Sequence, residues 1–105
     1  ANEYSVKVDG GSGSLDMRLS GQENLIIELD MGSGATDIDL PANVAVRVEV
    51  KDSGSGALRL PKNVQKIQNG QNKEEGIWES EGYSSASNHI LVRILSAGSG
   101  SISIR

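Results

Sequence analysis

The stretch LIIELDMGSGATDIDL, residues 25–40, contains the pattern from which the fold is predicted. Apolar residues alternate with polar ones on both sides of Gly32-Ser33-Gly34, and a period of two is typical of half-buried β-strands. Glycine and serine between two such segments indicate a tight turn, because both residue types suit turn backbones. The stretch therefore predicts two strands joined by a glycine-rich turn.

The same arrangement recurs along the 105-residue chain. Gly-Ser-Gly triplets begin at residues 11, 32, 54 and 98, so the intervals are 21, 22 and 44 residues, the last being two periods with one triplet missing. Position 76, where the missing triplet is expected, holds Gly76-Ile77-Trp78. The triplet glycines are predicted to be structural turn residues: Gly11, Gly13, Gly32, Gly34, Gly54, Gly56, Gly98 and Gly100.

A repeat of this length predicts that successive repeats stack, since one repeat alone could not bury its apolar face. We expect an all-β fold, a short single-stranded β-helix (β-solenoid) of about five coils with a repeat of roughly 22 residues, one of them degenerate. Stacking would produce two inward columns of equivalent residues. They are Val6, Ile27, Val48 and Val92 in one and Met17, Ile38, Leu60 and Ile104 in the other.

The turns differ in one detail. The leading strand ends three residues before the triplet in the first two repeats and four before it in the third and last. An insertion inside a strand would turn every following side chain to the other face, so the extra residue is expected in the turn. The glycines are expected to adopt positive φ there.

The domain prediction is a single domain over residues 1–105, with an irregular coil at about 61–89. Within that coil, the polar stretch 68–75 contains the turn signal Asn69-Gly70. This stretch is predicted to form a protruding loop or hairpin.

Composition excludes several classes of function. The net charge is −4 without a Lys/Arg cluster, so no nucleic-acid partner is expected. The absence of cysteine excludes disulfides and thiolate metal sites. No triplet continues into a phosphate-binding motif and no Gly-x-Ser-x-Gly elbow occurs, so we expect no enzyme, no cofactor and no metal. Calcium at Asp16, Asp37 and Asp39 is the weaker alternative to solvated carboxylates.

A possible interaction surface follows from the outward columns. One column contains Ser5, Ile26, Arg47 and Leu91, and Leu95 lies nearby, so three apolar side chains are predicted to be exposed. The other contains Lys7, Glu28, Glu49 and Arg93. In the irregular coil, Trp78 and Tyr83 could stack on a sugar, anchor a partner or pack over an open end of the coil. His89 is expected to be solvated.

The residues also resemble a known family. The pattern Met31-Gly32-Ser33-Gly34 through Leu40-Pro41-Ala42-Asn43-Val44 is similar to bacterial toast-rack domains, and the stretch from Trp78 to Ile104 resembles the end of those domains. The arrangement is also similar to the C-terminal domain of LiaF-type cell-wall-active antibiotic response regulators. The resemblance implies a β-solenoid in a bacterial cell-envelope protein, anchored by membrane spans outside this chain or extracytoplasmic, without catalytic residues.

The functional expectation is a non-catalytic protein-interaction or scaffold module at the bacterial cell envelope, linked through the resemblance to envelope stress or cell-wall antibiotic response. A protein partner or self-association is expected, because the ends of a stack expose unpaired strand edges. The alternative is a carbohydrate-binding, cell-wall-binding or adhesin-type surface module with a glycan ligand.

Overall fold

The computed structural model describes residues 3–19, 24–41, 44–52, 54–70, 75–86 and 88–105. This part of the chain is all-β, as predicted, apart from one turn of 3-10 helix at Tyr83–Ser85. Its ten strands are β1 (Glu3–Asp9), β2 (Leu15–Arg18), β3 (Asn24–Asp30), β4 (Ala35–Asp39), β5 (Ala45–Val50), β6 (Leu58–Arg59), β7 (Val64–Asn69), β8 (Gly76–Ser80), β9 (His89–Ser96) and β10 (Ser101–Ile104).

The strands form two sheets. A six-stranded sheet has the order β1-β3-β9-β5-β8-β7, and a four-stranded sheet has the order β2-β4-β10-β6. Around each Gly-Ser-Gly triplet the leading strand belongs to the first sheet and the following strand to the second. The strands β1, β3, β9 and β5 pair in parallel, as do all four strands of the second sheet.

The order of the repeats in space differs from their order along the chain. A simple single-stranded β-helix would place the repeats consecutively, but the last repeat, β9 and β10, lies between the second and the third. The far side of β5 is occupied by β8, which pairs with it in an antiparallel sense. Strand β9 therefore pairs with the other edge of β5, and its own second edge pairs with β3.

The fourth coil expected from the sequence is not formed in the described part of the chain. A coil would contribute one strand to each sheet, whereas β7 and β8 form an antiparallel pair within the six-stranded sheet alone. The predicted hairpin around Asn69-Gly70 is therefore present, with residues 71–74 of its connection outside the described residues. The connecting residues 20–23 and 42–43 also lie outside them.

The inward columns form largely as predicted, in the order of the strands; Leu60 lies just beyond the end of β6 and packs against the core. Val6 pairs with Ile27, Ile27 with Val92 and Val92 with Val48. Ile27, Val48 and Val92 are fully buried. In the other sheet Ile38 lies between Met17 and Ile104. These β-branched and aliphatic side chains fill one core between the two sheets.

The two repeats in which the leading strand ends four residues before the triplet lie next to each other in the sheets. The third and last repeats are neighbours, and the first glycines of their triplets, Gly54 and Gly98, have φ of 65° and 63°. No triplet glycine of the first two repeats adopts positive φ, so that expectation holds for only half of the triplets. Where the two groups meet, the register passes from Leu29↔Ile94 to Asp30↔Ser96, so the extra residue of the last repeat is Leu95. It lies in a β-bulge near the end of β9 and not in the turn, where it was expected.

Candidate interaction surface

The outer face of the six-stranded sheet carries the predicted apolar column. Ser5 pairs with Ile26, Ile26 with Leu91 and Leu91 with Arg47. Ile26 and Leu91 thus become direct neighbours, because the last repeat lies beside the second. Both side chains are half-buried on the face turned away from the core.

A shallow hollow of about 240 Å³ opens over this pair. Tyr83 and His89 line it together with Ile26 and Leu91. The two rings lie 4.8 Å apart between centroids and are inclined by 57°, a tilted arrangement that aromatic pairs favour. The Asn24 side-chain oxygen accepts a hydrogen bond from the His89 backbone N–H at 2.8 Å, which ties the start of β9 to β3. The lining of the hollow therefore combines apolar side chains, two aromatic rings and the polar side chain of Asn24.

The hydroxyl of Tyr83 is held in its neutral form. Burial raises the pKa of Tyr83 above its ordinary value of 10.0; the charges of Glu79 and Glu49 raise it further, and Arg47 opposes them. A neutral phenol can both donate and accept a hydrogen bond. The hydroxyl of Tyr83 is thus a polar group beside the apolar side chains of the hollow.

An ion-pair network lies beside the hollow on the same face. Arg47 Nη1 donates to Glu79 Oε2 at 2.6 Å, and Arg47 Nε donates to Glu49 Oε2 at 2.9 Å. Arg93 Nε donates to Glu49 Oε1 at 3.1 Å, and Arg93 Nη1 lies 3.6 Å from Glu28 Oε2. Each carboxylate thus faces at least one guanidinium. The side chains in the network are 17–32% exposed, so they are partly shielded from water.

The ladder of charges explains how the network arises. In the order of the strands the outward column is Lys7, Glu28, Arg93 and Glu49, so the sign alternates at every step. In chain order the two glutamates would be adjacent, and like charges directly opposite each other are destabilising. The position of β9 between β3 and β5 removes that repulsion.

The network shifts the titration of its central members. Burial acts to raise the pKa of Glu49, but hydrogen bonds from Arg93 and Arg47 and the attraction of both cations outweigh it, so the pKa lies below 4.5. The hydrogen bond to Glu49 likewise raises the pKa of Arg93. The network therefore remains charged at neutral pH.

Two of the predicted surface residues lie elsewhere. Trp78 on β8 is opposite Val48, and opposed side chains in an antiparallel pair share a face. Its ring packs against the core, with Lys66 Nζ 5.0 Å from the ring centroid. Leu95 belongs to the bulge at the end of β9 and does not line the hollow. The structure thus groups Ile26, Leu91 and Tyr83 and separates Trp78 and Leu95 from them.

Sequence reasoning missed His89 and the convergence of the charged side chains. Lying in the polar segment before β9, His89 was expected to be solvated, whereas it contacts Tyr83. No periodic signal marks this contact, because the irregular segment brings the two rings together. The alternating ladder could have been found from the outward residues once the strand order was known.

The suggested calcium ligands do not form a site. Asp16 and Asp37 are neighbours on β2 and β4, and Asp39 is two residues further along. Among the described residues no group of three or more His, Cys, Asp or Glu side chains is placed to bind a metal ion. No helix in the described ranges is long and apolar enough to cross a bilayer.

Comparison with known proteins adds a structural neighbour. No protein-family model matches the chain, and no curated protein matches it. The fold is similar to a solved structure from Clostridium sporogenes described as a "putative cell adhesion protein", with a TM-score of 0.68 and 24% sequence identity. The match covers 97% of this chain and 50% of that one, so the chain spans about half of the neighbour's length. At this identity the likeness shows a common fold.

Proposed function

We propose that this chain is a non-catalytic, adhesin-like interaction module of a bacterial surface or envelope protein, and that it binds a protein partner through the outer face of the six-stranded sheet. We call the proposed binding patch, formed by Ile26, Leu91, Tyr83 and His89, the outer-face patch. The observation that carries the proposal is the convergence of these side chains from three separate parts of the chain over one hollow.

The chemistry of the outer-face patch suits protein recognition. Interface centres combine apolar and aromatic anchors with a polar rim. Here the apolar pair Ile26 and Leu91 lies beside Tyr83. The ion-pair network that contains Arg47 forms a charged border next to them. Because the guanidinium groups are already held by carboxylates, a partner would meet a border that needs little reordering.

The cellular context is part of the proposal. The neighbour's description as a cell adhesion protein supports a surface location, and the resemblance to toast-rack domains supports an envelope protein built on a short β-solenoid, here with its last repeat inserted. The link to envelope stress rests on the resemblance to LiaF-type regulators alone.

Site-specific photo-crosslinking tests this function. A benzoylphenylalanine at position 26 of the full-length protein in its own cells should give a protein adduct of discrete size. The adduct should be lost when Leu91→Asn is added, because that change removes the apolar neighbour without touching the core. The crosslinker at Arg59, on the other sheet, is the matched control.

The outcomes separate clearly. An adduct at position 26 that depends on Leu91 and is absent at position 59 supports the proposal. The absence of a protein adduct at position 26, or the same adducts at both positions, contradicts it. Thermal unfolding of the purified Leu91→Asn variant checks that the fold is intact.

A glycan ligand is the second candidate, favoured by the tilted pair of Tyr83 and His89 beside the hollow. Aromatic rings at a shallow site can stack on sugar rings. In an NMR titration of the isotope-labelled chain with peptidoglycan fragments, the backbone amide signals of Ile26, Tyr83 and Leu91 should then shift. Those of β6 should stay unchanged. If Tyr83→Ala does not weaken the response, the glycan hypothesis fails.

A further inference from the structure

The first repeat leaves one end of the molecule open. Strands β1 and β2 are the terminal strands of their sheets, and neither has a second neighbour in the described part of the chain. The opposite end differs, because β8 and β7 extend the larger sheet beyond β5 and only the two-residue β6 ends the smaller one. The first repeat therefore leaves a longer unpaired strand edge, summed over the two sheets, than the opposite end does.

The open end is also apolar. Tyr4 and Val6 are 46% and 36% exposed, although the equivalent residues of the last repeat, Ile90 and Val92, are fully buried. Met17 and Leu19 lie against the core from the facing sheet and are only half-buried. An exposed apolar strand edge of this kind is a template for another strand.

We propose that this end binds a second copy of the chain about a two-fold axis that passes through Val6 and Met17. The strands β1 and β2 would each pair in an antiparallel sense with their own counterparts in the partner. Val6 lies three residues before the end of β1 at Asp9, and Met17 lies two residues after the start of β2 at Leu15, so the two are at similar distances from the turn of the first repeat. One axis can therefore serve both sheets.

The backbone is consistent with this register. The Gly10 N–H donates to Asp30 O and the Leu19 N–H donates to Asp39 O, both within the molecule. Because successive residues of a strand point to opposite sides, the free hydrogen-bonding groups belong to odd residues on β1 and even residues on β2. Around Val6, Ser5 then pairs with Lys7 of the second copy, and around Met17, Asp16 pairs with Arg18 of the second copy. Val6 and Met17 occupy non-hydrogen-bonded positions, where opposed side chains are closest.

Charge complementarity selects the second copy as the occupant. In the proposed register Asp16 of each copy faces Arg18 of the other, so two pairs of opposite charge form on the outer face of the smaller sheet. Parallel in-register pairing of β2 would instead oppose Asp16 to Asp16 and Arg18 to Arg18. Within one molecule Arg18 Nε lies 3.9 Å from Asp39 Oδ2, and the Arg18 side chain is 89% exposed.

Charge reversal tests the register. The wild-type chain should associate to a dimer in sedimentation velocity experiments between about 1 µM and 1 mM. Either Asp16→Arg or Arg18→Asp places like charges opposite each other at both symmetry-related positions, which should weaken the dimer at least about tenfold. A mixture of the two single variants should form a heterodimer. One chain then carries arginine at both positions and the other carries aspartate at both, so every facing pair is again of opposite charge.

Controls and contrary outcomes are specific. Arg59→Asp changes the net charge as Arg18→Asp does but lies on β6, so it should leave the dimer unchanged. A wild-type chain that stays monomeric, or single variants that associate like wild type, would overturn the proposal. Variants that do not recover on mixing would overturn the register, and assemblies that keep growing with concentration would indicate head-to-tail stacking instead. This end shares no residue with the outer-face patch, so the two proposals fail separately.

Discussion

Glu49 is the central residue of the ion-pair network on the outer face of the six-stranded sheet. Its carboxylate accepts hydrogen bonds from Arg47 and Arg93, and these cations belong to adjacent strands. The pKa of Glu49 is lowered below 4.5, so the folded state binds a proton at Glu49 less readily than the unfolded chain does. Its contribution to stability is therefore complete above the unfolded pKa and lost as the pH falls through the folded pKa.

Replacing Glu49 by glutamine should show this dependence. We expect Glu49→Gln to lower the free energy of unfolding at pH 7 by about 1 kcal/mol, a modest value because the network is partly solvated. The loss of stability between about pH 5 and pH 3 should be shallower in the variant than in wild type, since one group that favours the charged folded state is gone. Urea unfolding at a series of pH values measures both effects.

The matched control is Glu81→Gln, which removes an exposed carboxylate in the turn after β8. It should leave both the stability at pH 7 and its pH dependence close to wild type. Equal slopes for wild type and Glu49→Gln would show that the network does not contribute to acid sensitivity.

At the scale of elements, the second glycines of the triplets form a column between adjacent turns. A Cβ at Gly34 would overlap the carbonyl oxygen of Gly13, one at Gly100 would overlap that of Gly34, and one at Gly56 would overlap that of Gly100. Their backbone φ is not in the left-handed region, so close approach of neighbouring backbones is what requires glycine here. Gly13 begins the column, and a Cβ there would meet nothing within 4 Å.

This asymmetry provides an internally controlled prediction. Gly34→Ala should destabilise the fold by about 2 kcal/mol or more, because the obstacle is backbone and cannot move aside as a side chain could. Gly13→Ala has the same chemistry in open space and should change stability by less than about 0.5 kcal/mol. Chemical denaturation of the two variants beside wild type makes the comparison, and similar losses in both would contradict the close-packed column.

The elements themselves were largely predictable. Alternation of apolar residues predicted the strand pairs around each triplet, and Asn69-Gly70 predicted the hairpin of β7 and β8. Positive φ at Gly54 and Gly98 occurs in the two repeats that carry an extra residue before the triplet, whereas Gly11 and Gly32 have other backbone angles. Spacing separated the two kinds of turn but did not show that only one of them requires positive φ, because a glycine serves for positive φ and for close approach alike.

At the scale of the whole molecule, the position of the last repeat could not be read from the repeat pattern. Equivalent residues occupy the same column in any stacking order, so the repeat pattern does not indicate which repeats are neighbours. The charges carry more information, since the observed order alternates the sign along Lys7, Glu28, Arg93 and Glu49, whereas chain order would place the two glutamates side by side. The turn lengths agree, because repeats with equal turns are adjacent.

The outer-face patch was predictable only in part for the same reason. Strand parity placed Ile26 and Leu91 on the outward face, but their direct contact depends on the position of the last repeat. Tyr83 arrives from the irregular segment, which has no period to follow. Trp78 was grouped with Tyr83 by its aromatic character, whereas its pairing opposite Val48 turns it to the core.

Engineered cysteines can establish the order of the repeats directly, since the natural chain contains none. Asp37 on β4 pairs with Ser103 on β10, and Ser103 pairs with Arg59 on β6. Adjacent strands are about 4.8 Å apart, within disulfide range, whereas Asp37 and Arg59 are separated by two spacings, about 9.6 Å, which no disulfide can bridge. Under mild oxidation Asp37→Cys with Ser103→Cys, and Ser103→Cys with Arg59→Cys, should lose both free thiols. Asp37→Cys with Arg59→Cys should keep them. A chain wound in simple consecutive order would give the reverse for the two pairs that contain residue 37, so counting thiols in the folded monomer decides between the two arrangements.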